Sequence, residues 1–271
     1  MIALPCQNAT SRSHVSLAQP RDGRLAAALA GFLITHALGL LAMLLLLLPG
    51  ISPHVPLDER AAYVREHATA WRVGWLSWQA SALSDVWLTF ELFRRARAIG
   101  AGGAQRWMIA AAVLLVLALV PDQYAEARMV GDFTSATGLE AWHEALRLYM
   151  RLTGTWACLA YTGMTVCWLR AARRLPGARR ISLWAQTSMA LAFVGAATAN
   201  YFAWRATGEN TAAFDAATAF NGCAFLALLA NIGLAVERTA MPREAPPEAS
   251  DTTALVTRAT QRTAESANAR G

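Results

Sequence analysis

Two ionisable residues lie inside otherwise apolar stretches, and they set the chemical question. His36 sits near the middle of LAAALAGFLITHALGLLAMLLLLL (25–48), and Asp85 sits within WRVGWLSWQASALSDVWLTFELFRRAR (71–97). An ionisable side chain near a bilayer centre costs about 2.5–3.5 kcal/mol on insertion scales, so it usually faces the bundle interior and takes a partner. As antiparallel neighbours, the two stretches place His36 eleven residues from one inner end, at Leu25, and Asp85 eight residues from the other, at Phe93. Their depths then differ by about 5 Å at 1.5 Å per residue, a gap that side chains can close. An imidazole and a carboxyl together can hold a ligand or a titrating proton. Ser81 lies on a face neighbouring Asp85, and Gln186 and Asn231 fall in the same inner half of two later apolar stretches. These five residues form a candidate inner site. The competing reading is helix packing, with interhelical hydrogen bonds worth about 0.6 kcal/mol each.

A second polar group is expected near the outer surface: Asp122, Glu126, Asn200, Tyr201, Arg205, Asp215 and Asn221. Here Arg205 is expected to pair with Asp122 or Asp215 and close the outer end. An outward-facing pocket is the functional alternative. No metal site is expected. His143-Glu144 lacks the HExxH spacing, and nothing in the sequence forces His54 and His67 to converge on it with zinc geometry. No cofactor motif, GxSxG elbow, phosphate loop or paired Cys/His nucleophile is present. The chain contains no Lys, which excludes Schiff-base chemistry through lysine. Four Cys without CxxC spacing argue against a disulfide framework or zinc knuckle.

The elements that must position these residues are membrane helices. The chain is 55% hydrophobic and 15% charged, against about 25% charged in soluble domains. The fold class is an all-α polytopic bundle of six transmembrane helices, at about 25–48, 71–93, 107–126, 152–169, 181–204 and 216–236. Pro49-Gly50 is expected to stop the first. Gly31, Thr35 and Gly39 give it a smooth face for a close neighbour. The third has a short apolar run that ends before Pro121. It either stops there or continues through Asp122 and Glu126, which would then face the interior; the second alternative is preferred. Leu139, Trp142, Leu146 and Tyr149 recur at helical spacing and mark an amphipathic helix leading into the fourth span. Residues 1–24 and 239–271 are expected to be disordered arms flanking a transmembrane domain at 25–238.

Loop charge orients the bundle. Loop 94–106 carries four arginines and loop 170–180 carries five, neither with an acid, whereas loop 121–149 is net acidic. Basic loops stay in the cytoplasm, which places both termini inside. Arginines confined to such loops are an orientation signal, so no nucleic-acid partner is expected and the bilayer is the expected surrounding. The segments AWRVGWL, before the second span, and RRLPGARRISLW, before the fifth, resemble those of a broad class of six-helix bacterial inner-membrane proteins. That resemblance implies the topology and an inner-membrane location. The class has no established activity, so no functional residues carry over.

Three functions remain open at this level. The first is a binding, sensing or accessory protein for a small molecule or lipid, without turnover. The second is a proton-coupled transporter using Asp85 and His36, compatible with a homo-oligomer. The third is an intramembrane enzyme acting on a lipid or isoprenoid, with Asp85, Asp122 or Glu126 as acid or base. The lack of an evident internal repeat weighs against transport, and the scattered acids weigh against an enzyme.

Overall fold

The computed structural model describes residues 22–135, 138–175, 183–205 and 210–240. The expected terminal arms, apart from residues close to the helix ends, and residues 176–182 of the second basic loop and its exit lie outside the described residues. Every regular element described is helical. In order they are α1 (Gly23–Ala42), a π-helical segment (Met43–Leu47), α2 (Leu48–Ile51), α3 (Leu57–Glu66), α4 (Ala68–Ala98) and α5 (Gly102–Ser135). They are followed by α6 (Leu139–Tyr149), a second π-helical segment (Met150–Ala157), α7 (Cys158–Ala172), α8 (Leu183–Arg205) and α9 (Thr211–Ala240). Among the described residues, three continuous stretches are long and apolar enough to cross a membrane: Gly23–Ile51, Gly102–Gly131 and Thr211–Leu234.

Packing follows side-chain size. α1 lies along α4, α5 along α7, and α8 along α9. The Gly31–Thr35–Gly39 face of α1 receives α4. A Cβ on Gly31 would sit 2.9 Å from the Trp87 ring, and one on Gly39 would sit 2.7 Å from the Trp78 ring. Between them Thr35 Oγ1 lies 2.8 Å from Ser84 Oγ. Asp22 caps α1 by accepting from Leu25 N at 3.2 Å. It also accepts from Arg94 Nη2 at 2.7 Å, and Arg94 pairs with Glu91, so the start of α1 and the last turns of α4 are tied together. Gly100, at φ 66°, occupies the left-handed conformation that lets α4 end and α5 begin within three residues.

One expectation about helix ends is corrected, and the alternative preferred for the third stretch is met. Pro49-Gly50 does not stop the first helix. Pro49 falls in the first turn of α2, where its missing N–H costs nothing, and the widened π segment before it absorbs the change in winding. The third stretch runs straight through Pro121, so α5 spans about 50 Å at 1.5 Å per residue. That exceeds a hydrocarbon core of about 30 Å.

The buried side chains form two cores. The inner core is built around Phe32, Leu88, Leu92, Met108, Trp168 and Met189. The outer core packs α2, α3 and α6 over the helix ends, around Leu47, Val64, Trp71, Trp75, Met129, Trp142 and Leu146. Trp71 and Trp75 are fully buried and meet edge to face at 5.7 Å; Trp71 Nε1 donates to Met129 O at 3.2 Å. Tyr63 on α3, its phenol pKa raised by burial, donates to Leu46 O at 3.0 Å.

Candidate functional site

A cavity of about 430 Å³ lies where the two cores meet. Both π segments line it, through Met43 and Leu44 on one side and Met150, Thr153 and Gly154 on the other. Widened turns of this kind recur at functional sites because they re-aim side chains within a helix. α1 contributes His36, α4 contributes Trp78, Ser81 and Asp85, and α5 contributes Asp122. α7 contributes Tyr161 and α8 Asn200, while Phe214, Asn221, Gly222 and Phe225 come from α9.

His36 and Asp85 meet on this wall. His36 Nε2 lies 3.4 Å from Asp85 Oδ1, and both side chains are more than nine-tenths buried. This is a charge-pair distance, longer than the 2.7–3.2 Å of a formed hydrogen bond, and Asp85 Oδ1 accepts no aligned hydrogen bond among the described residues. The ring's other nitrogen fixes the chemistry. His36 Nδ1 is 2.9 Å from Phe32 O, a carbonyl that only accepts, so Nδ1 carries a proton. Nε2 then faces Asp85 bare, or protonated as an imidazolium. Any hydrogen bond between the two groups requires one shared proton. The ring is also clamped between Phe32, with centroids 4.1 Å apart, and Phe225, at 5.3 Å. Phe225 stacks on Trp78 as well, at 5.7 Å, which ties α9 to α4 across α1. Ser81 lines the same wall and donates to Trp78 O at 2.7 Å.

Asp122 faces the same cavity. Tyr161 donates its phenol hydrogen to Asp122 Oδ2 at 2.9 Å, while Asp122 Oδ1 has no partner among the described residues. One turn on, Glu126 is fully buried, and its Oε2 accepts from Gln123 at 3.1 Å. The inner and outer groups of the sequence reading thus share one site in part. Counting from the inner helix ends puts Asp122 about 10 Å further out than Asp85. The cavity spans that difference, and Tyr161 reaches into it from α7.

Comparison with protein-family models, with curated proteins and with solved structures finds no match to this chain. The reading of the site therefore rests on its geometry.

The remaining site candidates are distributed as follows. Asn200 lines the cavity, and its Nδ2 donates to Ala196 O at 3.0 Å. Gln186 and Asn231 are buried but do not line it; Asn231 Nδ2 points to Met189 Sδ at 3.9 Å, in the packing of α8 on α9. Tyr201 is 41% exposed and Arg205 is exposed, and neither lines the cavity. Asp215 pairs with His54 Nε2 at 2.7 Å at the surface, and Asp122 takes Tyr161. His54, expected as an outer-loop residue, thereby links the segment after α2 to α9. Among the described residues no group of three or more His, Cys, Asp or Glu could hold a metal ion. Sequence reasoning missed Tyr161, Thr153 and Gly154. Gly154 is the one with a geometric necessity, because a Cβ there would lie 2.7 Å from Asn200 Cγ and 2.8 Å from its Oδ1. Gly154→Ala is expected to cost about 1–3 kcal/mol through overpacking. A thermal melt in detergent checks it, and an unchanged midpoint would show that α8 does not need this close approach.

Proposed function

We propose that this chain is a multi-pass inner-membrane protein of six spans, with both termini cytoplasmic, that binds a small molecule or lipid in a sensing or accessory role. The cavity carries the reading. Its volume lies within the roughly 300–1,000 Å³ of small-molecule sites, and it combines an apolar wall with a few convergent polar groups, as such sites do. Leu44 and Leu226 line it and are 47% and 61% exposed on the outside of the bundle. That supports access from the bilayer between α1 and α9. The six-span reading draws support from large apolar side chains exposed on helices outside the three most apolar stretches. Leu76, Leu83 and Phe90 on α4 and Leu191 and Phe202 on α8 are each more than half exposed.

Two measurements test these statements. Native mass spectrometry of the protein extracted in mild detergent is expected to show a bound mass; protein that is uniformly free of ligand, and stays so when lipid extract is added back, argues against the binding reading. For topology, Gly138→Cys is expected to react with an impermeant maleimide in intact spheroplasts, and Ala101→Cys only after lysis, in a background without the native cysteines. The reverse pattern inverts the orientation.

The His36–Asp85 pair favours a second reading, proton-coupled transport, because its two groups can hold one proton between them. Uptake into proteoliposomes that follows a pH gradient and vanishes in Asp85→Asn is the expected result under that reading. Uptake unchanged by the substitution removes Asp85 from the mechanism.

A further inference from the structure

The cavity wall is rich in acceptors and poor in positive charge. Asp85 and Asp122 line it, His36 is the basic residue among the lining groups, and no arginine is among them. Two lining carboxyl oxygens, Asp85 Oδ1 and Asp122 Oδ1, are buried and accept no aligned hydrogen bond among the described residues. Asp85 and Asp122 are 5% and 3% exposed. A buried acceptor left unmatched is costly, and more so when it is charged. These two carboxyl oxygens thus lack an aligned donor, and the wall has no permanent cation. An ammonium supplies both, with three N–H donors and no acceptor. The rest of the wall suits what an ammonium would be attached to. Trp78, Tyr149, Tyr161, Phe193, Phe214 and Phe225 present aromatic surface, which accommodates an apolar body and attracts a cation through the ring faces.

We propose that the ligand is a protonated amine on an apolar body, with its ammonium at the acidic wall that Asp85 and Asp122 form and its body among the aromatic side chains. This rests on the reading of the cavity as a binding site. A carboxylate ligand would face two acids. An alcohol offers a single donor and no charge.

The test uses the full chain in phosphatidylcholine nanodiscs, with empty nanodiscs as the baseline. Binding of 4-phenylbutylamine, 4-phenylbutanol and 4-phenylbutanoate is measured by equilibrium dialysis at neutral pH. The amine is expected to bind at least about tenfold more tightly than the alcohol, and the carboxylate not to bind above baseline. Asp122→Asn, close to isosteric, is expected to weaken the amine by about tenfold and leave the alcohol nearly unchanged. Equal binding of amine and alcohol to the unmodified protein overturns the amine assignment and leaves the binding reading standing. So does amine binding that is indifferent to Asp122→Asn. If none of the three probes binds above baseline, both readings fall. Should Asp122→Asn not fold, the comparison of the three probes on the unmodified chain still decides.

Discussion

Gly222→Phe is expected to abolish ligand binding while leaving the protein folded. Gly222 lies on α9 and lines the cavity, and a Cβ built there meets no heavy atom within 4 Å. A side chain at this position therefore has room that comparable glycines lack: Gly195, on α8, would meet the Phe220 ring at 3.0 Å. The helix does not need the glycine, since Phe is a better helix former than Gly by a few tenths of a kcal/mol. A benzyl group occupies a large share of a cavity of about 430 Å³, and it would lie beside Phe225, where a ligand would pass the His36–Asp85 wall. The expected outcome is a loss of the bound mass in native mass spectrometry, by at least about a hundredfold in affinity, with a melting midpoint near that of the parent. That loss corresponds to roughly 2.7 kcal/mol, less than a drug-sized ligand gains from burial in such a site. Gly222→Ala serves as the control, because one methyl group leaves most of the space and should leave binding intact. Retained binding in a folded Gly222→Phe protein would place the ligand elsewhere.

How much of this was legible in the sequence depends on which coordinate is asked for. Depth along the membrane normal can be counted in residues. The counts from Leu25 and Phe93 put His36 and Asp85 within reach of one another, and the structure holds them 3.4 Å apart. Azimuth around the bundle cannot be counted. Gln186 and Asn231 lie at a suitable depth, yet neither lines the cavity, and Asn231 meets Met189 in the contact of α8 with α9. Asp122 lay in the other expected group, yet it lines the same cavity as Asp85, and Tyr161 on the later helix α7 donates to its carboxyl. The two π segments were not legible at all. Nothing in MLLLL or MRLTGTWA distinguishes a widened turn from an ordinary one, and the close approach of Asn200 to Gly154 in the second comes from a residue far along the chain. Arg60 shows the same limit. Its neighbours in LDERAAYVRE suggest a surface helix, but the side chain is fully buried in the outer layer. Pro121 was ambiguous because a proline inside a helix removes one hydrogen bond and normally costs about 3 kcal/mol. Helices packed in a membrane tolerate it where neighbours satisfy the freed group, and α5 is enclosed by α4, α6 and α7.

The His36–Asp85 pair should be worth more as a pair than either residue is alone. Asp85→Leu leaves His36 Nε2 in an apolar wall without its partner, and His36→Leu leaves the Asp85 carboxyl in the same position. A buried polar group orphaned in this way costs about 1–3 kcal/mol. His36→Leu also gives up ring contacts with Phe32 and Phe225, which adds about 0.5–1.5 kcal/mol. The double Leu variant orphans neither group and replaces both with apolar side chains, a change that is often close to neutral for buried pairs. The double variant is therefore expected to be more stable than His36→Leu, and the interaction energy across the four proteins should be about 1–2 kcal/mol. Reversible unfolding in mixed micelles, followed by tryptophan fluorescence, measures all four. Costs that simply add would mean that the 3.4 Å approach contributes no coupling, and the polar groups would then be independent features of the wall. Coupling in stability does not by itself imply function, so the same four proteins separate the two readings of the site. If the pair serves only to join α1 to α4, the double variant recovers stability and retains ligand binding. If it belongs to the binding site, the double variant recovers stability and still loses the ligand, because an apolar replacement satisfies the fold but offers nothing to an incoming donor.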